Sequence, residues 1–283
     1  MASIYKSFTK ESKKNEEVSK PRIRNRVLLL SSRGISTRYR YLIKDLEALL
    51  PHSKKDAKLD TKKNLEILNE LAELNNCNNI LFFEARKHDD LYLWASRAPS
   101  GPSIKFHVQN VHNMSELKLT GNCLKGSRPL LSFDGNFDDD GPYMLIKTLF
   151  EQIFSVPTGA RKSKPFFDHI MSFSIIDGRI WVRNFQIVEK NPETGGDVTN
   201  DDDMSLVEIG PRFVLHIIRI FEGSFYGRTL YENPNFYTPA SIRAAANREK
   251  SAKFANRSIA NQELKAKIGN INIPTDKYAD VFK

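Results

Sequence analysis

An internal duplication limits this sequence to a small set of folds. Four motifs recur in the same order, at offsets of roughly 85–110 residues, along a chain of 283 residues. The motifs and their later copies are Leu42-Ile43-Lys44 and Leu145-Ile146-Lys147, Pro51 and Pro157, Trp94 and Trp181, and Gly101-Pro102 and Gly210-Pro211. The matching order predicts two copies of one α/β unit rather than an array of short repeats.

The first copy has the pattern of a strand, two helices and three strands. Arg26–Ser32 is a short apolar run, typical of a buried strand. Leucines at helical spacing predict a helix over Tyr39–Leu50, and a second one that begins at Asp60 or Thr61 and ends near Leu74. The three strands predicted after these helices are Ile80–Glu84, Leu91–Ala95 and Ser103–Gln109.

The second copy repeats the opening strand and helix. The helix is predicted over Pro142–Phe154, and Asp177-Gly178 supplies a favoured two-residue hairpin turn. The predicted strands are Pro129–Phe133, Ile170–Ile176, Arg179–Ile187, Ser205–Ile209 and Arg212–Phe221. The apolar run Phe213–Phe221 also fits a buried helix, but its β-branched content favours a strand.

Three polar segments flank or interrupt these copies. Residues 1–25 are rich in Lys, Glu and Ser without periodicity and are predicted to be a flexible arm. Residues 189–203 carry six acids against one lysine and are predicted to form a mobile loop within the second half. We therefore expect one domain over 26–233, with halves 26–120 and 121–233, and a helical tail over 234–283 that is ordered against partners.

The overall charge favours an anionic partner. The chain carries 43 Lys and Arg against 34 Asp and Glu, a formal charge of +9, which favours nucleic acid over the weaker alternative of an anionic membrane. No apolar run approaches the roughly 20 residues of a spanning helix, and the polar N-terminal segment lacks the apolar core of a secretory signal.

Sites for catalysis or metal binding are not predicted. The chain has no Gly-rich phosphate loop, HExxH or GxSxG motif, and Cys77 and Cys123 are lone thiols outside any CxxC pair. The acidic runs 138–140 and 201–203 lie in polar loops without a nearby histidine and are interpreted as solvated. Within strands, His107, His169 and His216 are expected to be structural, and Trp94 and Trp181 to anchor the core of the two halves.

The strongest candidate for a binding site is a basic cluster around the first strand and its helices. Twelve Lys or Arg lie between positions 22 and 63, against four acids. Arg33, Arg38 and Arg40 lie at the strand-to-helix turn, where arginine side chains and helix N–H groups suit a phosphate backbone. The other candidates in this cluster are Lys54, Lys55, Lys58, Lys62 and Lys63. The alternative interpretation is an ordinary solvated helix face.

A second basic patch follows the helix of the second copy. Arg161, Lys162 and Lys164 lie in a loop bounded by glycine and proline, and such a loop can bind phosphates flexibly. The alternative is a loop that merely increases solubility.

Several long motifs closely resemble the Brix-domain family of ribosome biogenesis factors. They are Ser31–Gly34, Asn79–Arg86, Ser100–Pro102, Gly121–Pro129 and Leu206–Phe213, and the resemblance spans roughly Arg26 to Asn233. It implies two anticodon-binding-domain-like halves that share a central sheet, with a flexible N-terminal arm and an extended or helical C-terminal tail. The tail after Tyr237 is shorter and less charged than the family pattern.

The resemblance also implies a function. Brix proteins act in nucleolar pre-ribosomes, bind precursor ribosomal RNA and usually pair with a dedicated protein through the sheet or its edge. The expected role is a non-enzymatic factor for assembly of the large ribosomal subunit, with a basic helical nucleolar partner and without cofactor, membrane or small-molecule substrate. The alternatives are a protein–protein scaffold with little direct RNA recognition and, disfavoured by the missing motifs, an enzyme of RNA metabolism.

Overall fold

The computed structural model describes residues 25–60, 64–87, 89–117, 121–157, 160, 162–188, 205–271, 278 and 281. The chain forms two compact units, with the boundary between Pro234 and Asn235. The predicted flexible arm, up to position 24, and the predicted mobile loop 189–203 lie outside the described residues.

The first unit is built on one mixed sheet and three helices. Its strands are β1 (Val27–Ser31), β2 (Ser53–Lys55), β3 (Asn79–Arg86), β4 (Asp90–Arg97), β5 (Ser103–His112), β6 (Pro129–Phe133), β7 (His169–Ile176), β8 (Arg179–Val188), β9 (Ser205–Glu208), β10 (Arg212–Phe221) and β11 (Thr229–Glu232). Its helices are α1 (Thr37–Leu49), α2 (Ile67–Leu74) and α3 (Gly141–Phe154), and the second unit contains α4 (Pro239–Asn270).

The strand order confirms the predicted duplication. The sheet runs β2-β1-β3-β4-β5-β10-β8-β7-β6, so that β1-β3-β4-β5 meets its counterpart β10-β8-β7-β6 at the centre. In each half the first strand pairs in parallel with the strand that follows the helices, and β5 pairs with β10 antiparallel. The two halves therefore share one continuous sheet and are related by an approximate two-fold axis perpendicular to it.

The repeated Gly-Pro motif has a steric explanation. Gly101 and Gly210 lie at equivalent points before β5 and β10 and both have positive φ, +90° and +74°. A Cβ atom at Gly101 would lie 2.5 Å from the carbonyl oxygen of Glu222. Only glycine therefore fits at this approach to the central strand pair.

Most of the core lies on one face of the sheet, which we call the helix face. The apolar sides of α1 and α3, such as Leu42, Leu46 and Phe150, pack there against inward residues of both halves. On the opposite face, α2 buries Leu68 and Ala72 against β1, β3 and Trp94 of the first half. This division follows from the near-continuous apolar sequences of β1, β3 and β4, which are covered on both sides.

The second tryptophan differs from its predicted role. Trp94 is 6% exposed and lies in the core, as expected, but Trp181 is only partly buried, with the Arg183 guanidinium 5.5 Å from its ring centroid. Trp181 alternates with the core residues Ile180 and Val182, so it lies on the face opposite α3. No described helix covers that face in the second half, which is why Trp181 is not a core anchor.

The other predicted elements are confirmed, with one correction. Phe213–Phe221 is a strand, and Asp177-Gly178 forms the turn between β7 and β8. The second helix begins at Ile67 rather than at Asp60 or Thr61. The reason is that Leu59 still pairs with the end of β1, since its N–H donates to Ser31 and its carbonyl accepts from Arg33. The short polar strand β2 was not predicted from the sequence.

Candidate nucleic-acid interface

The two predicted basic patches lie along the same edge of the sheet. The carboxyl ends of β1, β3 and β5 are at this edge, and the register Arg212↔His112 continues it to the amino end of β10. The pairs His169↔Gln186 and Pro129↔His169 then extend it to the amino ends of β7 and β6. From β1 to β6 this is seven strand spacings of about 4.8 Å, or roughly 34 Å, along an edge that winds with the sheet.

We call this the basic edge and define it by exposed cations at its two ends. At the β1 end they are Arg33, Arg38, Arg40 and Lys58, and at the β6 end they are Lys125, Lys162 and Lys164. Lys62, Lys63 and Arg161, which were also predicted to bind RNA, lie outside the described residues.

At the β1 end, the N-terminus of α1 is open to an anion. Ser36 occupies the N-cap without a side-chain cap bond, and the first turn contains no acid. The first N–H groups of a helix lack intrahelical acceptors and carry a partial positive charge. Arg40 lies one turn further on and donates to the Thr37 hydroxyl at 3.1 Å. This corner therefore combines helix N–H groups with arginine side chains.

Two of the arginines at this end are already paired with acids. Arg33 forms an ion pair with Asp60. Arg38 donates from Nε and Nη2 to the two carboxylate oxygens of Glu116, at 3.3 and 3.4 Å. The hydrogen bond from Arg38 lowers the pKa of Glu116, with a further contribution from His112, so Glu116 stays ionised. Both pairs are largely exposed, and such pairs contribute little to stability and exchange readily for a phosphate.

The structure does not bring Lys54 and Lys55 to the basic edge. Both are on the outermost strand β2, beside the first residues of β1. The Lys54 ammonium donates to the Asn75 carbonyl at 2.7 Å, and Lys55 pairs with Glu47 at 3.5 Å. Lys58, by contrast, follows β2 next to the end of β1 and is exposed.

At the β6 end, main-chain hydrogen bonds hold the basic loop against the turn before β6. The Lys164 N–H donates to the Gly126 carbonyl at 2.7 Å, and the Arg128 N–H donates to the Phe166 carbonyl at 2.9 Å. Gly126 has φ +88°, and a Cβ atom there would lie 2.8 Å from the Lys162 carbonyl oxygen. The lysines of two separate segments are thereby brought together.

Asp168 stabilises the turn before β6 through hydrogen bonds to its carboxylate. Its carboxylate accepts from the Leu124 N–H at 2.5 Å, and His169 lies at 2.8 Å from it. Buried Ser127 contacts His169 at 3.1 Å. Burial alone would raise the pKa of Asp168, but hydrogen bonds from His169, Ser127 and Leu124 outweigh it, and the pKa is lowered. These polar contacts confirm the structural role expected for His169.

The equivalent corner of the second half has the opposite charge. Between β6 and α3, where the first half has its arginines, the chain has Asp134, Asp138, Asp139 and Asp140. The two-fold relation directs this acidic corner to the other edge of the sheet. Asp138 pairs with Lys147 at 2.8 Å, and Asp139 and Asp140 are exposed, as predicted for a solvated loop.

Neither cysteine has the lowered pKa of a reactive thiol. Cys77 and Cys123 are both free, and burial raises the pKa of each, that of Cys123 to about 11. Among the residues that the structure describes, no group of His, Cys, Asp and Glu could hold a metal ion. The same residues include no helix long and apolar enough to cross a membrane.

Three further cations, Arg86, Lys125 and Arg212, lie at or next to strand ends at the basic edge. Arg86 is bonded to Glu84 at 2.7 Å and Arg212 lies 3.5 Å from Glu208, whereas Lys125 is exposed. The signal that identifies such residues is their position at a strand end, but it becomes readable only once the strand order is known.

Comparison with known proteins gives a consistent family. The Brix domain model matches residues 32–219. The ribosome biogenesis protein BRX1 of Saccharomyces cerevisiae is 54% identical over 275 residues, which cover 94% of each chain. The BRX1 homolog of Homo sapiens is 50% identical over 261 residues, 92% of this chain and 70% of the relative.

Among solved structures, a probable ribosomal biogenesis protein from Aeropyrum pernix K1 is 19% identical, with a TM-score of 0.44 over 68% of this chain and 96% of that one. The family model and the two relatives confirm both the resemblance and the expectation that this is not an enzyme. The chain belongs to the Brix-domain family.

Proposed function

We propose that this chain is a non-enzymatic assembly factor of the large ribosomal subunit that binds precursor ribosomal RNA along the basic edge. The family supports the ribosome biogenesis role, because this chain aligns with 94% and 70% of two relatives that are named ribosome biogenesis proteins. The observation that carries the RNA proposal is that two basic patches about 100 residues apart in sequence share one edge of the sheet.

The chemistry of the edge suits a sugar–phosphate backbone. Lysine and arginine side chains neutralise phosphates and release counterions, which gives binding that weakens steeply with salt. At the β1 end, the uncapped N-terminus of α1 offers main-chain N–H donors beside the arginine side chains. A separation of roughly 34 Å between the two ends exceeds a single phosphate contact and fits an extended or duplex RNA segment.

The same role implies the remaining features of the proposal. Precursor ribosomal RNA and pre-ribosomal proteins, including a basic helical assembly factor, are the expected partners, and the nucleolus is the expected location. The domain limits 26–233, with a tail over 234–283, belong to this proposal as well.

The test compares charge removal at two edges of the same sheet. One variant carries Arg40→Gln and Lys58→Gln, and a second carries Lys162→Gln and Lys164→Gln, since none of these four forms an ion pair in the described structure. The matched control carries Arg97→Gln and Arg179→Gln, at the opposite edge, where β4 ends and β8 begins. Affinity of the full chain for a fragment of large-subunit precursor RNA is measured from low to high salt.

Each basic-edge variant is expected to lower the slope of log affinity against log salt by about 1.4–1.8 units, the value for two lost phosphate contacts. The control should retain the slope of the wild type. Equal losses in all three variants would reduce the effect to net charge and overturn the assignment of this edge. A wild-type chain without measurable RNA affinity would favour the scaffold alternative.

A further inference from the structure

The second unit contains a long basic helix whose role the proposed function does not explain. Helix α4 spans 32 residues, about 48 Å at 1.5 Å per residue, and none of its residues is buried. It begins at a defined point, because Thr238 caps it by accepting a hydrogen bond from the Ser241 N–H, and Pro239 follows in its first turn. Because α4 buries no side chain, its role is not to pack against a hydrophobic core.

The charge of α4 is concentrated. It contains seven Lys and Arg against two Glu, a surplus of five within a chain of net charge +9. Glu249 is paired with Lys253 at 2.7 Å. A helix with this balance and no buried side chain is attracted to a polyanion.

The cations are also concentrated on one side. At about 100° per residue, six of the seven project within an arc of roughly 160°. These six are Arg243, Lys250, Lys253, Arg257, Lys265 and Lys267. They extend over roughly 36 Å of the helix axis, so that they form a long basic face rather than a single cluster.

The apolar residues of α4 are too far apart along the helix to form a continuous stripe. Ile242, Phe254, Leu264 and Ile268 are each more than half exposed and project within an arc of about 120°, but along the chain they are separated by 12, 10 and 4 residues. A helix that docks in an apolar protein groove presents anchors at i, i+3, i+4 and i+7. Leu264 and Ile268 are one such pair, at the end of the helix, and a pair is too short for a groove.

From this charge complementarity we propose that the basic face of α4 is a second RNA-binding surface, which lies along the phosphate backbone independently of the basic edge. The inference rests on the proposed function in so far as it takes RNA to be the polyanion. Two separate surfaces on one chain would act as linked sites, so that each raises the effective concentration of RNA at the other.

The test again uses the full chain and a fragment of precursor ribosomal RNA. The basic-face variant carries Lys250→Gln, Arg257→Gln and Lys265→Gln, because glutamine keeps helix propensity close to that of lysine and arginine. The charge-preserving control carries Lys250→Arg and Lys265→Arg. An apolar control carries Phe254→Ala, Ile259→Ala and Leu264→Ala, and circular dichroism checks that all variants keep their helix content.

The basic-face variant should lower the salt slope by about 2–3 units, the value for three lost contacts, while both controls bind like the wild type. Unchanged RNA affinity of the basic-face variant, with wild-type binding intact, would overturn this inference and leave the basic edge standing. Loss of association with pre-ribosomal particles in the apolar control alone would identify α4 as a protein-docking helix and also overturn it. Absence of RNA binding by the wild type would instead remove the proposed function itself.

Discussion

Arg38 in α1 is bonded through Nε and Nη2 to both carboxylate oxygens of Glu116, which follows β5 in the chain. The pair joins the helix N-terminus to the centre of the sheet edge, and the side chains are 55% and 36% exposed. A phosphate group that approaches this corner would compete with Glu116 for Arg38. The acid therefore limits how strongly the corner attracts phosphate.

Replacing Glu116 with glutamine should strengthen RNA binding. The substitution removes a negative charge beside Arg38, and an exposed charge interaction of about 1 kcal/mol corresponds to roughly fivefold in affinity at low salt. Filter binding or fluorescence anisotropy at low and physiological salt measures the change, which should shrink as salt rises. A Glu47→Gln variant, an equal charge change beside Lys55 and away from the basic edge, provides the comparison, and weaker binding by Glu116→Gln would contradict the role of this corner.

The stability of the domain should fall in mildly acidic solution because of His52. Its Nε2 donates to the Ile153 carbonyl at 2.9 Å, and its buried Nδ1 has no hydrogen-bond partner among the described residues. Burial lowers the pKa of His52 below 6.5, against the smaller opposite effect of the Ile153 bond. The unfolded chain therefore binds the proton more readily than the folded chain, and stability is lost as the pH falls below 6.5.

Urea unfolding at pH 7.5 and at pH 5.5 measures this effect. A His52→Gln variant should be less stable than the wild type at pH 7.5 but should lose less stability between the two values. An identical loss in both proteins would assign the acid sensitivity to other groups.

Gly126→Ala should destabilise the β6 end of the basic edge. Its φ of +88° and the 2.8 Å approach of a Cβ to the Lys162 carbonyl leave no room for alanine, and positive φ alone costs about 1–2 kcal/mol. Thermal unfolding should show a lower Tm, and RNA affinity should fall with it because the loop shifts. Gly135→Ala is a suitable control, since nothing lies within 4 Å of a Cβ there; a larger loss in that control would refute the steric argument.

The two tryptophans should respond differently to alanine. Trp94 is buried, stacks on Phe221 at 5.7 Å, and donates to Glu84 at 3.1 Å, so Trp94→Ala should cost about 3–5 kcal/mol. Trp181 is partly buried on the uncovered face, and Trp181→Ala should cost about 1 kcal/mol. Denaturant midpoints of the two variants give the comparison, and similar losses would mean that Trp181 is packed after all.

The fold could be predicted from the sequence wherever local pattern and burial agree. The β7–β8 hairpin was predictable because Asp177-Gly178 suits a tight turn between alternating strands. The start of α2 was not, because the pairing of Leu59 with β1 is a tertiary contact that overrides a favourable N-cap sequence. The three-residue strand β2 has no apolar pattern and depends entirely on the edge it joins.

The candidate site was predictable in its residues but not in its arrangement. Charge density identified Arg33, Arg38 and Lys162 directly from the sequence. That the two patches share an edge depends on the antiparallel pairing of β5 with β10, which joins segments about 100 residues apart. Such a pairing leaves no local signal, and neither does the binding of Lys54 to the Asn75 carbonyl.

The two-fold relation between the halves does not extend to the charges along the basic edge. Rotation about that axis carries the β1–α1 corner to the β6–α3 corner, which is acidic and points away from the basic edge. The same rotation carries the loop of Lys162 and Lys164 to the segment after α1, whose Lys54 and Lys55 lie on β2 away from the basic edge. The two halves therefore contribute different corners to the basic edge, and a polyanion bound along it would meet different groups at its two ends and have one preferred direction.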